Sequence, residues 1–174
     1  YMGFISSYKG LETLFVAMSK VPNAGLLLGG GWHTTGADTQ YIAQLKQYSL
    51  QLLHDRCQWL GYVPDEDVAR AYGAMDVIVY PSHYISESGA LLMALSHGKA
   101  VIASDLAPVR EKAKEGALMT FKNVSDLTRK IKLLLKDEEL KHKFEEGARN
   151  YAQRNSWANI AKQHIKVYEE VLNA

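Results

Sequence analysis

The sequence predicts an α/β fold: a doubly wound parallel sheet of about six strands, helices on both faces and a helical C-terminal tail. Three observations predict it. Short apolar runs alternate with segments of helical period through roughly the first 121 of 174 residues. Those runs are apolar throughout rather than at every second position, as expected of strands covered on both faces. Gly, Pro or small polar residues punctuate the chain between them, as strand–helix junctions require. Right-handed β-α-β crossovers then place helices on both sides of a parallel sheet.

The elements follow in chain order. Residues 1–5 (YMGFI) form a short apolar run closed by Ser6-Ser7. After Lys9-Gly10, apolar residues at Leu11, Leu14, Phe15, Met18 and Val21 lie on one helical face, and Pro22-Asn23 stops the pattern. Residues 24–28 are a second strand-like run, ended by Gly29-Gly30-Gly31. An amphipathic helix is predicted over residues 39–53 and a short strand over 57–60, closed by Gly61. Pro64 followed by Asp65, Glu66 and Asp67 suits the first turn of a helix, where the dipole favours acids. DVIVY (76–80) is the clearest strand, AVIAS (100–104) is another, and 117–121 is predicted as a third. From Asp126 onward the pattern is helical to Leu172. About six strands in this order give a Rossmann-like domain.

Composition narrows the function. The formal net charge of +1 offers no argument for nucleic acid or an anionic membrane as partner. Residues 1–104 hold 6 Lys and Arg against 8 Asp and Glu, and residues 105–174 hold 14 against 11, so the charge-dense last third reads as solvated helix surface. No apolar stretch is long enough for a membrane-spanning helix, and the start carries no signal-peptide pattern. Cys57 is the single cysteine, which excludes an internal disulfide and fits a reducing cytoplasm. It opens an apparent strand with no accompanying base, a poor setting for a nucleophile. The six His residues lack metal-ligand spacing. The chain opens on YMGFIS, already strand-like, which raises the expectation of a fragment or second half of a longer protein.

In doubly wound sheets ligands bind beyond the carboxyl ends of the strands, where strand order reverses. The candidate loops are therefore residues 6–10, 29–38, 61–64, 81–89 and 105–108. The strongest is 81–89, which enters a helix through Ser86-Glu87-Ser88-Gly89-Ala90. Free amides of a first helical turn, with the dipole behind them, suit a phosphate. Ser86 or Ser88 acting as an ordinary helix cap explains the same residues. Lys9 can reach an anion lying over the sheet, or be a plain surface lysine. The glycine run is not followed by a third spaced glycine, so there is no dinucleotide fingerprint, and it reads instead as a mobile loop near the ligand. Tyr62 can stack on a base or simply cover the sheet.

The order of these pieces resembles the carboxy-terminal, nucleotide-sugar-binding domain of the retaining GT-B glycosyltransferases of family 4. The matching stretches are MGFISSYKG, LLLGGG, WLGYVPDEDVARAYGAMDVIVYPS, SGALLMALSHGKAVIASD, VREKAKEG and SWANIAKQHIKVYEEVL, nearly the whole chain. The resemblance implies that residues 1–174 are one donor-binding domain for a UDP- or GDP-sugar, with a hexose transferred to an acceptor held by a separate N-terminal domain. It implies no metal or other cofactor, and membrane contact only through that other domain. The family carries Gly-Arg and then Lys-Gly to grip the diphosphate; here Gly3, Lys9 and Gly10 match, but Phe4 stands at the Arg position. Leu60-Gly61-Tyr62-Val63 matches the base pocket, and Pro81-Ser82 matches the Pro-Ser loop.

Two glutamates flank the helix start in the family. The second, which bonds the ribose, falls here on Met93; the first falls on Ile85, with Glu87 two residues further on. Ala100 replaces a usual proline. The resemblance implies Lys9 and Glu87 as the catalytic candidates. It implies Gly3, Lys9, Tyr62, Ser88, Gly89, Ala90, Leu91 and Met93 as the donor-binding set. Three readings stand on the sequence: an active donor-binding half, a degenerate domain kept for interaction or regulation, and an unrelated nucleotide-binding α/β domain.

Overall fold

The computed structural model describes residues 1–32 and 36–173. Among the described residues there are five parallel strands: β1 (Leu26–Gly29), β2 (Cys57–Gly61), β3 (Val77–Tyr80), β4 (Ala100–Ser104) and β5 (Met119–Phe121). They alternate with α1 (Leu11–Ser19), α2 (Gly36–Leu53), α3 (Asp65–Gly73), α4 (Gly89–Ser96) and α5 (Ala107–Lys114). Three helices, α6 (Val124–Lys136), α7 (Glu138–Arg154) and α8 (Trp157–Leu172), complete the described chain.

Two ladders form, β1-β2 and β3-β4-β5, every pair parallel. The predicted opening strand over 1–5 is reduced to a single bridge, Met2 to Gly29. Its backbone nonetheless runs in a sheet-like path: Gly29 N–H donates to the Tyr1 carbonyl and Gly3 N–H to the Gly29 carbonyl, both at 2.9 Å. On the other side the Tyr1 ring meets the Tyr80 ring edge-on at 5.6 Å. Side-chain packing rather than a hydrogen-bonded ladder thus joins the opening segment to β3. Strand order turns at this segment, with β1 and β2 to one side and β3 to β5 to the other.

Apolar runs buried on both faces are borne out for β4, where Ala100 to Ala103 are fully buried, but not for β2, which has no buried residue. Among the described residues β2 pairs only with β1, so it is an edge strand with one side open. Helices α1, α2 and α6 pack together, while α7 packs on α4 and β4. Burying Leu11, Leu14, Phe15, Ile78, Leu95 and Ile102 completely stabilises the domain by about 1.5–3 kcal/mol per side chain.

Two polar devices fix the edges of this core. The predicted start of the late helix at Asp126 moves to Val124, because Asn123 caps it by accepting from Asp126 N–H at 3.0 Å. Arg56 Nη1 donates to the carbonyls of Val21 and Ala24, both at 2.9 Å, and reaches that of Met18 at 3.4 Å. One guanidinium thus closes the turn that follows α1 and ties it to the start of β2. Truncating Arg56→Ala removes these bonds, although the Met18 and Val21 carbonyls keep the N–H groups of Val21 and Ala24, and is expected to cost about 1–3 kcal/mol, read as a lowered urea midpoint.

Asp126 also carries a pH dependence. Burial alone raises its carboxyl pKa, but hydrogen bonds from Lys130, Arg129 and the Lys122 N–H outweigh it and hold the group at about 2, against 3.8 for the free side chain. A depressed folded pKa contributes stability above the unfolded value that is lost as pH falls through the folded one. Stability therefore declines between about pH 4 and pH 2, and Asp126→Asn flattens that part of the acid-unfolding curve.

Candidate functional site

A cavity of about 480 Å³ opens at the carboxyl edge, at the strand-order reversal. Main chain makes its floor. Ile5 N–H donates to the Gly31 carbonyl at 2.9 Å, and Gly30 N–H to the Gly61 carbonyl at 2.7 Å. Gly30 has φ 144°, and a Cβ there would overlap the carbonyl of Gly3, so the opening segment and the glycine run can touch only if residue 30 has no side chain. The run is thus a close backbone contact before it is a loop; its continuation through residues 33–35 lies outside the described residues.

The walls are Phe4, Trp32, Tyr62, Tyr72 and Met93, with Ala90 at the start of α4. Of the donor-binding set, Gly3, Tyr62, Ala90 and Met93 line the cavity. Tyr62 is 73% exposed, standing over the mouth rather than covering the sheet. Trp32 and Tyr72 are wall residues that sequence reasoning missed. The spacing of Tyr72 from Val68 on α3 was the available clue.

Helix α4 is built for this position. Ser88, not Ser86, is the cap: its Oγ accepts from Leu91 N–H at 3.2 Å, and its carbonyl accepts from Leu92 N–H. That uses the Leu91 amide and leaves those of Gly89 and Ala90 as the first-turn donors without a partner among the described residues. Tyr80 Oη donates to the Ala90 carbonyl at 2.7 Å, and Tyr72 Oη lies 3.4 Å from both groups. Burial pushes both phenols up, Tyr80 well above its usual range, so both stay neutral and pin the first turn. The ring of Tyr72 also stacks on His97, at the end of α4.

Lys9 does not line the cavity. It sits on the 3-10 turn Ser7–Lys9, with Nζ 4.7 Å from the Tyr8 ring centre and no carboxylate partner among the described residues. Gly10, at φ 65°, brings this turn against the Pro81 carbonyl, and His83 N–H donates to the Tyr8 carbonyl at 2.8 Å. The first loop and the 81–89 loop are therefore one surface. Glu87 also lies outside the cavity wall. Its Oε1 accepts from Ser88 N–H, and its Oε2 pairs at 3.2 Å with Lys112 Nζ, whose side chain is only 8% exposed.

Lys112 was missed in the charge-dense VREKAK stretch, although it falls three residues after the buried Val109 on the inner face of α5. Among the described residues no group of three His, Cys, Asp or Glu could hold a metal ion. Burial pushes the half-buried Cys57 thiol up, against a nucleophilic role. A smaller cavity of about 340 Å³ beside Asn23, Asp76 and Ile131 opens at the amino ends of the strands, away from any first-turn amides.

The Glu87–Lys112 pair has a consequence for any test of Glu87. Glu87→Gln leaves a buried ammonium without its anion and is expected to cost about 1–3 kcal/mol. Lys112→Met keeps the stem packing and frees an exposed carboxylate, so it costs less. The order of urea midpoints checks this.

Comparison with known proteins agrees with this geometry. An uncharacterised glycosyltransferase of Methanocaldococcus jannaschii is 28% identical over 97% of this chain and 44% of its own length. Sucrose-phosphate synthase of Thermosynechococcus elongatus superposes with a TM-score of 0.83 at 27% identity, over 99% of this chain and 45% of that one. HepE of Anabaena, crystallised with UDP, shares the fold with a TM-score of 0.84 at 21% identity, over 97% of this chain and 48% of its own. The chain thus spans about half the length of the proteins it matches most fully. The family profile described as Glycosyl transferases group 1 matches residues 1–151.

Proposed function

Because the chain belongs to the Glycosyl transferases group 1 family, we propose that it is the donor-binding half of a retaining hexosyltransferase that uses a UDP- or GDP-sugar. The carrying observation is the cavity at the strand-order reversal, which opens beside the two spare amides of α4. The base and ribose lie in the cavity. The diphosphate lies over Gly89 and Ala90, where N–H groups and the helix dipole face it.

Transfer breaks the bond between the anomeric carbon and the diphosphate oxygen, and negative charge grows on the leaving group. Fixed donors aimed at that charge stabilise the transition state more than the ground state. The amides of Gly89 and Ala90 are such donors, and the ammonium of Lys9, which has no carboxylate partner among the described residues, adds a third. Glu87 contacts the sugar only by leaving Lys112. The acceptor, and the groups that activate it, belong to a further domain of a protein about twice this length. The single Cys57 fits a cytoplasmic setting, and any membrane contact goes through that further domain.

A second reading has its own support. Phe4 and Met93 line the cavity at two of the positions where the family resemblance places a charged side chain. A domain that has lost both contacts, with Glu87 held by Lys112, fits a non-catalytic module kept for interaction or regulation. The third reading, an unrelated α/β domain, is set aside by the family membership.

Calorimetric titration with UDP, GDP and their sugar conjugates distinguishes the two. Gly89→Pro is the most selective probe, because proline suits the first helical position yet removes one amide. It is expected to weaken nucleoside diphosphate binding about tenfold with no loss of thermal stability. Lys9→Ala is expected to weaken binding about tenfold or more, and less so at high salt. Absence of binding to every nucleotide supports the non-catalytic module instead.

A further inference from the structure

A second cavity of about 480 Å³ opens at the same carboxyl edge, over the ends of β3, β4 and β5, and shares no wall residue with the first. Strand register sets its base. Tyr80 lies beside Ala103 and Ser104 beside Phe121, so residues 81–83, 104–106 and 121–124 leave the sheet next to one another. Its walls carry small polar groups: Thr13, Ser82, His83, Ser104, Lys122 and Asn123. Ser82 is only 2% exposed, yet it lines the cavity and its hydroxyl bonds to no group among the described residues. A buried hydroxyl left in that state costs stability unless a ligand or water satisfies it.

The remaining groups around the cavity favour an anion. The one carboxylate of the wall, Asp105, is occupied, because Arg110 Nε donates to its Oδ1 at 2.8 Å. Lys122 is exposed and has no carboxylate partner among the described residues. Helix α6 starts here. Asn123 spends its side-chain oxygen on Asp126 N–H, which leaves its NH₂ as a donor. The amides of Val124 and Ser125 have no partner among the described residues, and the helix dipole stands behind them. Asp126, on the same turn, is held by Arg129 and Lys130. Donors from a main chain, an amide and an ammonium, with no free carboxylate among them, suit the terminal oxygens of a phosphate.

We propose that this second cavity binds a phosphate monoester of a small polar molecule. The phosphate lies over the first turn of α6, against the Val124 and Ser125 amides, the Asn123 NH₂ and the Lys122 ammonium. The Ser82 hydroxyl bonds the organic part. The volume is more than a phosphate alone fills and lies in the range of small-molecule sites. The proposal does not depend on the donor-binding reading above, since the two cavities have no residue in common.

The test is a titration of the isotope-labelled 174-residue chain with inorganic phosphate and with glucose 6-phosphate, read from backbone amide signals. Both are expected to shift Val124 and Ser125 saturably, with the monoester binding about threefold or more tighter. Lys122→Met, at an exposed position, is expected to weaken both about tenfold. Ser82→Ala is expected to weaken glucose 6-phosphate about threefold and to leave inorganic phosphate unchanged. Val124 and Ser125 signals that stay still at millimolar concentrations of both probes overturn the proposal. So do shifts confined to Gly89 and Ala90, which place the phosphate at α4 and leave the donor reading intact. Equal binding of the two probes, unchanged in Ser82→Ala, overturns the monoester and the role of Ser82.

Discussion

The architecture turns on a contact between two stretches of bare main chain. The opening segment can lie against the glycine run only because Gly30 has no side chain to strike the Gly3 carbonyl. That approach lets Gly29 exchange ladder bonds with Tyr1 and Gly3, and lets Ile5 reach Gly31. It makes the opening segment the seam at which strand order reverses. It also gives the crevice a floor of backbone rather than side chains. Everything proposed about the donor requires such a floor, since a diphosphate and a sugar need room close to the sheet edge.

Across the crevice stands the first turn of α4. The tyrosines that hold it are buried and neutral, and they grip a carbonyl, so the amides are left pointing outward. This division of labour suits anion binding without any formal charge in the wall. It also explains how Phe4 and Met93 can stand where charges are expected. Each apolar replacement removes one charge-assisted contact, on the order of 1.5–3 kcal/mol, while the amides and stacking faces remain. The balance between those losses and the remaining contacts decides whether the domain still holds a donor.

Much of the fold was legible because strands covered on both faces leave continuous apolar runs, and 76–80 and 100–104 are such runs. The opening segment misled because its apolar residues pack through side chains, with Tyr1 on Tyr80, while only Met2 makes a bridge. β2 misled because an edge strand needs no burial to be a strand. The helix start at Ser88 was legible from capping chemistry, but the choice between Ser86 and Ser88 needed geometry. The partnership of Glu87 and Lys112 was not legible at all: the residues lie on different elements, and no local pattern links them. Trp32 and Tyr72 were missed as cavity walls for the same reason, since a wall is made by tertiary approach.

The central claim is that the spare amides of α4 receive a diphosphate. The most direct measurement is a titration of the isotope-labelled chain with UDP or GDP, following backbone amide signals by nuclear magnetic resonance. Diphosphate binding at this turn predicts saturable downfield shifts of the Gly89 and Ala90 amide protons, accompanied by smaller changes at Gly3 and Gly30 around the crevice. Saturable binding that leaves Gly89 and Ala90 unmoved and shifts residues elsewhere would contradict it.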